Sequence, residues 1–546
     1  MILTKYLPTN LFSNHRVSDN NFITNPIVLS NQDLDRLKSY NISLYTSDIT
    51  TLGIEKTWDI ICQFILDSNY SDFLNIEDFG ELYEIGLAIQ NKQSKKKSGQ
   101  YYTPKDVAQV MVKWFYKCEG INVCDVACGT GNLILTYLEL LGYDEARKLI
   151  SCGNLYLYDF DKVALKICRT IIAVKYGVDV IDKVHVNYCD FLDRGVCLPN
   201  NCKVISNPPY SKIDCFNDSW EETGILLDTK ELYSSFMEKI IKQSKSSVII
   251  TPFSFLNGNK FYSLRKLMCD RSGGFIVSFD NVPGNIFNGR KQGIFNTNVS
   301  NSVRAAISVI NDKERGYRIS PLIRFKNEER DLLLNNSLLE NTLPEDYQIV
   351  DNNKTQFAKV DKELSNLFNT WVKESKFTVE DILSDRETPY LIEMPNTCRY
   401  FTTASSRHLS RTGAIKIYLK TERDFNFLYC FINSSFAYWW WRIYDGGITY
   451  PQGLLNSMPL PINLCSEEDN SFFNKMIKLL SSKENDFIIT KKNAGVLQEN
   501  IKFPVEYRYK INERFLKILG VDLDIRKFDK IHSNCFFHKS IDIIKK

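Results

Sequence analysis

Between about residue 100 and residue 312, short apolar runs alternate with helix-like segments, and this alternation limits the chain to very few folds. The runs lie near Val123 and at 155–158, 184–186, 204–205, 248–250, 275–277 and 305–309. Seven runs of strand length, with helices between most of them, predict an α/β domain around a largely parallel sheet. Parallel neighbours need a long crossover connection, and a helix is the usual one. Ligands in such sheets sit at the carboxyl ends of the strands, so the residues that follow each run carry the information about function.

The run at 204–205 ends in Asn207-Pro208-Pro209-Tyr210. Two successive prolines remove two backbone donors and stiffen the turn. An amide side chain, a carbonyl and an aromatic ring are left to point outward, a set that suits a planar base with an exocyclic amine. The first run leads into Asp125-Val126-Ala127-Cys128-Gly129-Thr130-Gly131. Glycines in such a turn let the backbone approach a ligand closely before a helix begins. No lysine followed by serine or threonine comes after it, so it is not a phosphate-gripping loop. Asp125 opens the turn and suits a cationic group. Asp159 and Asp190 follow the second and third runs. Three carboxylates at three neighbouring strand ends accept from an amine, a ribose diol and a purine amine, the donors of S-adenosylmethionine. Each acid alone is equally a cap or turn residue; their recurrence in order ahead of the Asn-Pro-Pro-Tyr turn favours a shared ligand.

These residues resemble the amino-gamma class of adenine-specific DNA methyltransferases of restriction-modification systems. Gly99-Gln100-Tyr101-Tyr102-Thr103-Pro104 resembles the segment that closes over the cofactor's methionine end. The 125–131 block resembles the glycine motif, with Val126 where proline is common. Asp159-Phe160 and Asp190-Phe191 match the ribose and adenine positions, and Asn207 to Tyr210 the catalytic motif. Glu231-Leu232-Tyr233-Ser234-Ser235-Phe236 resembles the helix after the catalytic loop. The resemblance implies a Rossmann-like class I methyltransferase domain over 95–320. A helical extension would precede it at 1–94, and a mixed α+β target-recognition region would follow at 321–546. It implies S-adenosylmethionine held by Tyr101, Tyr102, Thr103, Pro104, Asp125, Ala127, Cys128, Gly129, Gly131, Asp159, Phe160, Asp190, Phe191 and Asn207. It implies methylation of the N6 amine of adenine in double-stranded DNA, and a cognate restriction endonuclease encoded separately. A cytoplasmic, nucleoid-associated monomer or weak dimer is the corresponding expectation.

In that chemistry the Asn207 side-chain oxygen and the Pro208 carbonyl accept the two hydrogens of the adenine amine. The nitrogen is pulled toward tetrahedral geometry and its lone pair is freed for in-line attack. Flipping the base out of the duplex costs a few kcal/mol, and stacking on Tyr210 returns about 1–3 kcal/mol. A second ring is therefore expected, and Phe287 in Gly284-Asn285-Ile286-Phe287 is the candidate; phosphate contacts supply the remainder.

The rest of the chain is less specific. A net charge of +3 announces no global field for nucleic acid, so any basic surface is local. The 15 cysteines show no paired zinc-type spacing and read as free thiols. The sequence has no apolar run near the ~20 residues that a membrane helix needs. Ile54, Trp58, Ile61 and Ile65 share a helix face, and Lys95, Lys96 and Lys97 mark a linker or solvated loop. Residues 320–390 are charged and predict helix. In the aromatic, turn-rich 391–463 stretch, Arg407, His408 and Arg411 are the candidate DNA contacts. Trp439, Trp440 and Trp441 read as core.

Four rival readings stay open. Methylation of a protein glutamine amide needs the same chemistry but far less reading surface. Methylation of RNA adenine finds no recognisable RNA module. A metal-dependent nuclease is faintly suggested by Pro344-Glu345-Asp346 and Glu374-Ser375-Lys376. A non-catalytic DNA-binding subunit is opposed by the intact catalytic motif.

Overall fold

The computed structural model describes residues 103–213, 216–287, 303–345, 356–398, 400–493 and 495–537. The expected N-terminal helix face, the three lysines at 95–97, and Gly99 to Tyr102 lie outside the described residues, as does Asp346.

Each of the seven apolar runs forms a strand of one sheet. They are β1 (Asn122–Val126), β2 (Leu155–Asp159), β3 (His185–Tyr188), β4 (Cys202–Ser206), β5 (Ser246–Pro252), β6 (Gly273–Phe279) and β7 (Ala305–Asn311). An eighth strand, β8 (Gly316–Ile323), joins at the edge, and the order is β3-β2-β1-β4-β5-β7-β6-β8. β7 runs antiparallel to both of its neighbours; the other pairs are parallel. The sheet grows outward from β1 to β3 and then resumes on the other side of β1 with β4. Val126, the last residue of β1, therefore faces both Tyr158 and Ser206. This reversal opens a crevice at the carboxyl ends of β1 and β4, where open α/β sheets take their ligands.

β8 escapes a search for apolar runs because Arg318, Ser320 and Pro321 interrupt it. An edge strand tolerates the proline, which lacks the donor that an inner strand would have to satisfy, and Arg318 there is only partly buried. Its pairing to β6 shifts register between Ile276 and Ser278.

Helices cover both faces. α1 (Lys105–Tyr116), α2 (Asn132–Leu141) and α3 (Lys162–Tyr176) pack on one side. α4 (Leu232–Gln243) and the helix Tyr262–Arg271 pack on the other. α1 follows Pro104, whose missing N–H costs nothing at a helix start, and it carries Asp106 in its first turn and Lys113 in its last. α3 is capped by Asp161, which accepts from the N–H groups of Val163 and Ala164, and it stops at Gly177 with φ of 109°.

The expected boundary at 320 falls inside β8. The core of the sheet also takes in Phe325, Leu333, Leu334, Leu339 and Leu343, while a separate apolar core begins at Ala358. That second core is built on α5 (Glu422–Ile432), α6 (Ser435–Tyr444), α7 (Glu467–Lys483) and α8 (Val505–Leu519). Trp439, Trp440 and Trp441 are buried within α6, and Trp439 stacks on Trp371 at 5.8 Å.

A buried ionic cluster joins the two cores. Asp280, at the end of β6, pairs with Arg304 (2.9 Å), Arg324 (2.8 Å) and Arg442 of α6 (2.8 Å). Arg442 also donates to the Leu322 carbonyl, and Arg324 to the Tyr438 hydroxyl. The guanidinium groups hold the Asp280 carboxyl down to about 2 despite its burial.

Candidate active site

The glycine loop and the Asn-Pro-Pro-Tyr turn meet at the crevice beside β1 and β4. The Ser206 hydroxyl donates to the Val126 carbonyl at 2.6 Å and ties the two strand ends together. Between β1 and α2 the backbone takes left-handed conformations at Ala127 (φ 59°), Gly129 (φ 53°) and Gly131 (φ 92°). A Cβ on Gly131 would lie 2.3 Å from the Cys168 Sγ, so glycine is required there twice over, by conformation and by space.

A cavity of about 450 Å³ opens above this loop. Its walls include Thr103, the 127–130 loop, Asn132, Asp159, Phe160, Asp161, Asp190, Phe191, Asn207, Pro208, Pro209, Trp220 and Phe236. The described lining carries three aspartates and no lysine or arginine. That donor set disfavours a phosphate-bearing nucleotide. It fits S-adenosylmethionine, which presents an ammonium, a sulfonium, a diol and a purine amine but no phosphate. The volume falls in the ~300–1,000 Å³ range usual for such ligands.

The three expected acids occupy different depths. Asp159 lines the cavity and accepts from Gly129 N (2.7 Å) and Asp161 N (2.8 Å). Burial pushes its carboxyl up to about 6, against the lowering effect of those two bonds. Asp190 also lines the cavity. It accepts from Leu192 N at 3.0 Å and from the Trp220 indole N–H at 2.9 Å. Asp125 does not reach the cavity: it is fully buried beneath the loop and accepts from Ile134 N at 3.1 Å. Its other oxygen has no hydrogen-bond partner, and burial holds its carboxyl well above the usual range. The expected direct contact of Asp125 with a cationic ligand is therefore corrected: this acid shapes the loop and the start of α2 from below.

Thr103 joins the two halves of the site. Its hydroxyl accepts from Asn207 Nδ2 at 2.9 Å, and its carbonyl accepts from Asn132 Nδ2 just after the glycine loop. Pro104 is buried beside it. Phe160 is 58% exposed at the cavity rim, whereas Phe191 is buried at the wall.

Tyr210 and Phe287 are brought together as expected, but they meet edge to face at 5.9 Å and 65°. The Tyr210 hydroxyl donates to the Ile250 carbonyl, and its ring also meets Tyr233 edge-on. Phe287 is 4% exposed and belongs to the core. Arg330 fixes its loop by donating to the carbonyls of Asn285 and Ile286 while pairing with Asp106 of α1.

Sequence reasoning missed Asn132 and Trp220 in the lining. Trp220 sits in an irregular connection with no motif to mark it. Asn132 stands one residue past the glycine motif, where proximity was a usable signal. The expected block at 231–236 does contribute Leu232 and Phe236.

Of the three expected DNA contacts, His408 has the most open side chain, 76% exposed and 3.0 Å from Glu393. Arg407 lies 3.5 Å from Glu499. Arg411 donates to Gly413 O, Glu499 O, Asn500 Oδ1 and Thr397 Oγ1, so it braces this loop against the Val496–Ile501 strand. Among the described residues, no group of three or more His, Cys, Asp or Glu is placed to hold a metal ion. Among them, too, no helix is long and apolar enough to cross a membrane.

Comparison with known proteins finds DNA methyltransferases similar to part of this chain. The N-6 DNA Methylase family profile matches residues 74–331. The chain is similar to the type II methyltransferase M.VspI of Vibrio sp. (strain 343), 29% identical over 36% of this chain and 46% of that protein. It is similar to the type II methyltransferase M.PstI of Providencia stuartii, 29% identical over 38% of this chain and 41% of that one. Among solved structures, a type I restriction-modification methyltransferase subunit from Streptococcus thermophilus is 16% identical, with a TM-score of 0.33 over 53% of this chain and 61% of that one. The chain thus spans less than half the length of these two curated relatives. Residues 74–331 thus match the N-6 DNA Methylase profile, and the curated relatives to which the chain is similar are type II methyltransferases.

Proposed function

We propose that the protein transfers a methyl group from S-adenosylmethionine to the N6 amine of a flipped-out adenine in duplex DNA. One observation carries the reading: the Asn-Pro-Pro-Tyr turn abuts an acidic cavity without phosphate-binding residues in its described lining, and Thr103 bonds the Asn207 amide at their junction. Bound in that cavity, S-adenosylmethionine supplies an electrophilic sulfonium methyl.

The chain's own residues do the rest. Asp159 and Asp190 hold hydroxyl and amine donors, and the left-handed loop at 127–131 lets the backbone approach the ligand. Asn207 Oδ1 and the Pro208 carbonyl accept the two hydrogens of the target amine. As those bonds shorten, the nitrogen lone pair leaves conjugation with the ring and becomes available for attack. Preorganised acceptors of this kind act by position and electrostatics. Nδ2 held by Thr103 fixes the plane of the amide and thereby the direction of its oxygen. Tyr210, with Phe287 behind it, forms the aromatic side of the target-base pocket. The region beyond residue 357 reads the DNA sequence, His408 and Arg407 being its candidate contacts. A separately encoded restriction endonuclease is the matching partner.

Incubating the protein with methyl-labelled S-adenosylmethionine and unmethylated plasmid DNA tests the reading. Label should enter DNA as N6-methyladenine, and Asn207→Ala should abolish transfer while cofactor affinity stays within about threefold, since the acceptor serves the transition state. Wild-type turnover in that variant would remove Asn207 from the mechanism. Label appearing in protein or RNA, and never in DNA, would refute the DNA substrate.

A further inference from the structure

The connection between β4 and α4 places an unforeseen aromatic residue on the cavity wall. Trp220 is half-buried, and its indole N–H donates to Asp190 Oδ2 at 2.9 Å. The main chain around it is latched to the turn that follows Asp190. Trp220 and Asp193 form an antiparallel bridge, Arg194 N donates to the Ser219 carbonyl at 3.0 Å, and Arg194 Nε donates to the Trp220 carbonyl at 2.9 Å. The Ser219 hydroxyl bonds the Asp193 carboxylate, and Trp220 N closes its own turn on the Asn217 carbonyl at 2.9 Å. The ring is therefore held over Asp190 from several directions.

Asp190 is in this way clamped by two donors, Leu192 N on Oδ1 and the Trp220 indole on Oδ2. An ionised carboxylate has about four lone-pair sites, so the clamp sets its plane without exhausting it as an acceptor. A hydrogen bond to a charged group is roughly twice as strong as a neutral one, which makes this clamp a firm one. Phe191 and Phe236 line the same cavity.

We infer that Trp220 is a positioning residue for the cofactor: it orients Asp190 toward the purine amine and offers its ring as a wall of the purine subsite. This inference rests on the proposed use of S-adenosylmethionine. It explains why a residue outside every recognisable motif is fastened so thoroughly to the Asp190 turn. A ligand amine then meets a carboxylate whose orientation is already fixed, so less ordering is required on binding.

The test is equilibrium binding of S-adenosylhomocysteine and of its deaminated analogue, S-inosylhomocysteine, to the full chain and to Trp220→Phe. Phenylalanine keeps a ring and loses the N–H. The dissociation constant for the adenosyl compound should rise about tenfold, the expected size for a lost hydrogen bond to a charged group. The inosyl compound should lose much less, so discrimination between the two narrows. In methyl transfer the KM for S-adenosylmethionine should rise by a factor similar to that for the adenosyl compound. The ligand-induced change in tryptophan fluorescence should shrink in the variant, and an unchanged circular dichroism spectrum would show that the fold is intact. Equal affinity of the variant and the wild type for the adenosyl compound would overturn the inference and leave the cofactor reading standing. Equal losses for the two compounds would overturn the role of Trp220 in amine recognition. A wild-type protein that binds neither compound would overturn the cofactor reading and the inference together.

Discussion

Substituting Thr103 by valine isolates one interaction in the candidate site. Valine keeps the shape of the side chain and removes the acceptor for Asn207 Nδ2, a 2.9 Å bond between side chains of which Thr103 is only 4% exposed. Removing one partner from a buried polar pair costs about 1–3 kcal/mol. If the bond is held through the transition state and orients the Asn207 oxygen, that loss appears in the barrier and slows the chemical step by about 5- to 150-fold. The bond from Asn132 to the Thr103 carbonyl involves the backbone and survives the substitution, so the glycine loop keeps its support. Cofactor affinity should then change by no more than about twofold. Single-turnover methyl transfer to plasmid DNA, paired with calorimetric binding of S-adenosylhomocysteine, separates the two effects, and Thr103→Ser should recover most of the rate. A wild-type rate in Thr103→Val would refute the reasoning. So would a loss of cofactor affinity equal to the loss of rate, which would make Thr103 a cofactor contact and not a support for Asn207.

Two further outcomes follow from charge. Burial holds the Asp159 carboxyl at about 6 in the folded chain. A hydroxyl-bearing ligand needs the ionised form, so affinity for S-adenosylhomocysteine should be flat above pH 7 and fall about tenfold by pH 5. The same raised value costs stability as pH climbs from about 4 to 6, because the folded state then holds a proton that the unfolded chain has released. Calorimetric titrations between pH 5 and 8 read the first effect, and a profile as flat for the wild type as for Asp159→Asn would rule it out. Asp280 shows the opposite sign. Its lowered carboxyl contributes stability above about pH 4 that is lost as pH falls toward 2. Asp280→Asn leaves three guanidinium groups, two of them buried, without their counter-charge and should cost about 3–5 kcal/mol in urea unfolding. Glu119→Gln, which breaks the solvent-exposed pair with Lys313, should be indistinguishable from wild type. An Asp280→Asn midpoint equal to that of Glu119→Gln would remove the cluster from any role in joining the two cores.

Local rules reach only as far as local signals. The inner strands of the sheet are buried on both faces, so each appears as an uninterrupted apolar run that can be read without a partner. β8 lies at the edge with one neighbour, and its Arg318 and Pro321 hide it from that reading. The cavity shows the same limit. Asp159 ends β2 and Asp190 follows β3, and both strand ends open on the crevice. Asp125 belongs to β1, an inner strand, one residue before its end, and its side chain is buried under the loop. Arg411 illustrates the limit for charge: a basic residue in a basic stretch suggests a free cation, but four acceptors from three separate segments converge on it.

By itself the sequence determined the sheet's inner strands, the crevice beside the glycine loop, and the chemical types at that crevice: carboxylates, an amide, two prolines and a ring. These follow from periodicity, from backbone permissiveness at glycine and from rigidity at proline, all properties of neighbouring residues. Tertiary structure alone decided which side chains face one another: Thr103 with Asn207, Trp220 with Asp190, and Asp280 with Arg304, Arg324 and Arg442. Those pairs join residues 24 to 162 positions apart. Their energies depend on burial and distance, which no stretch of chain carries until the sheet and its helices have brought the partners together.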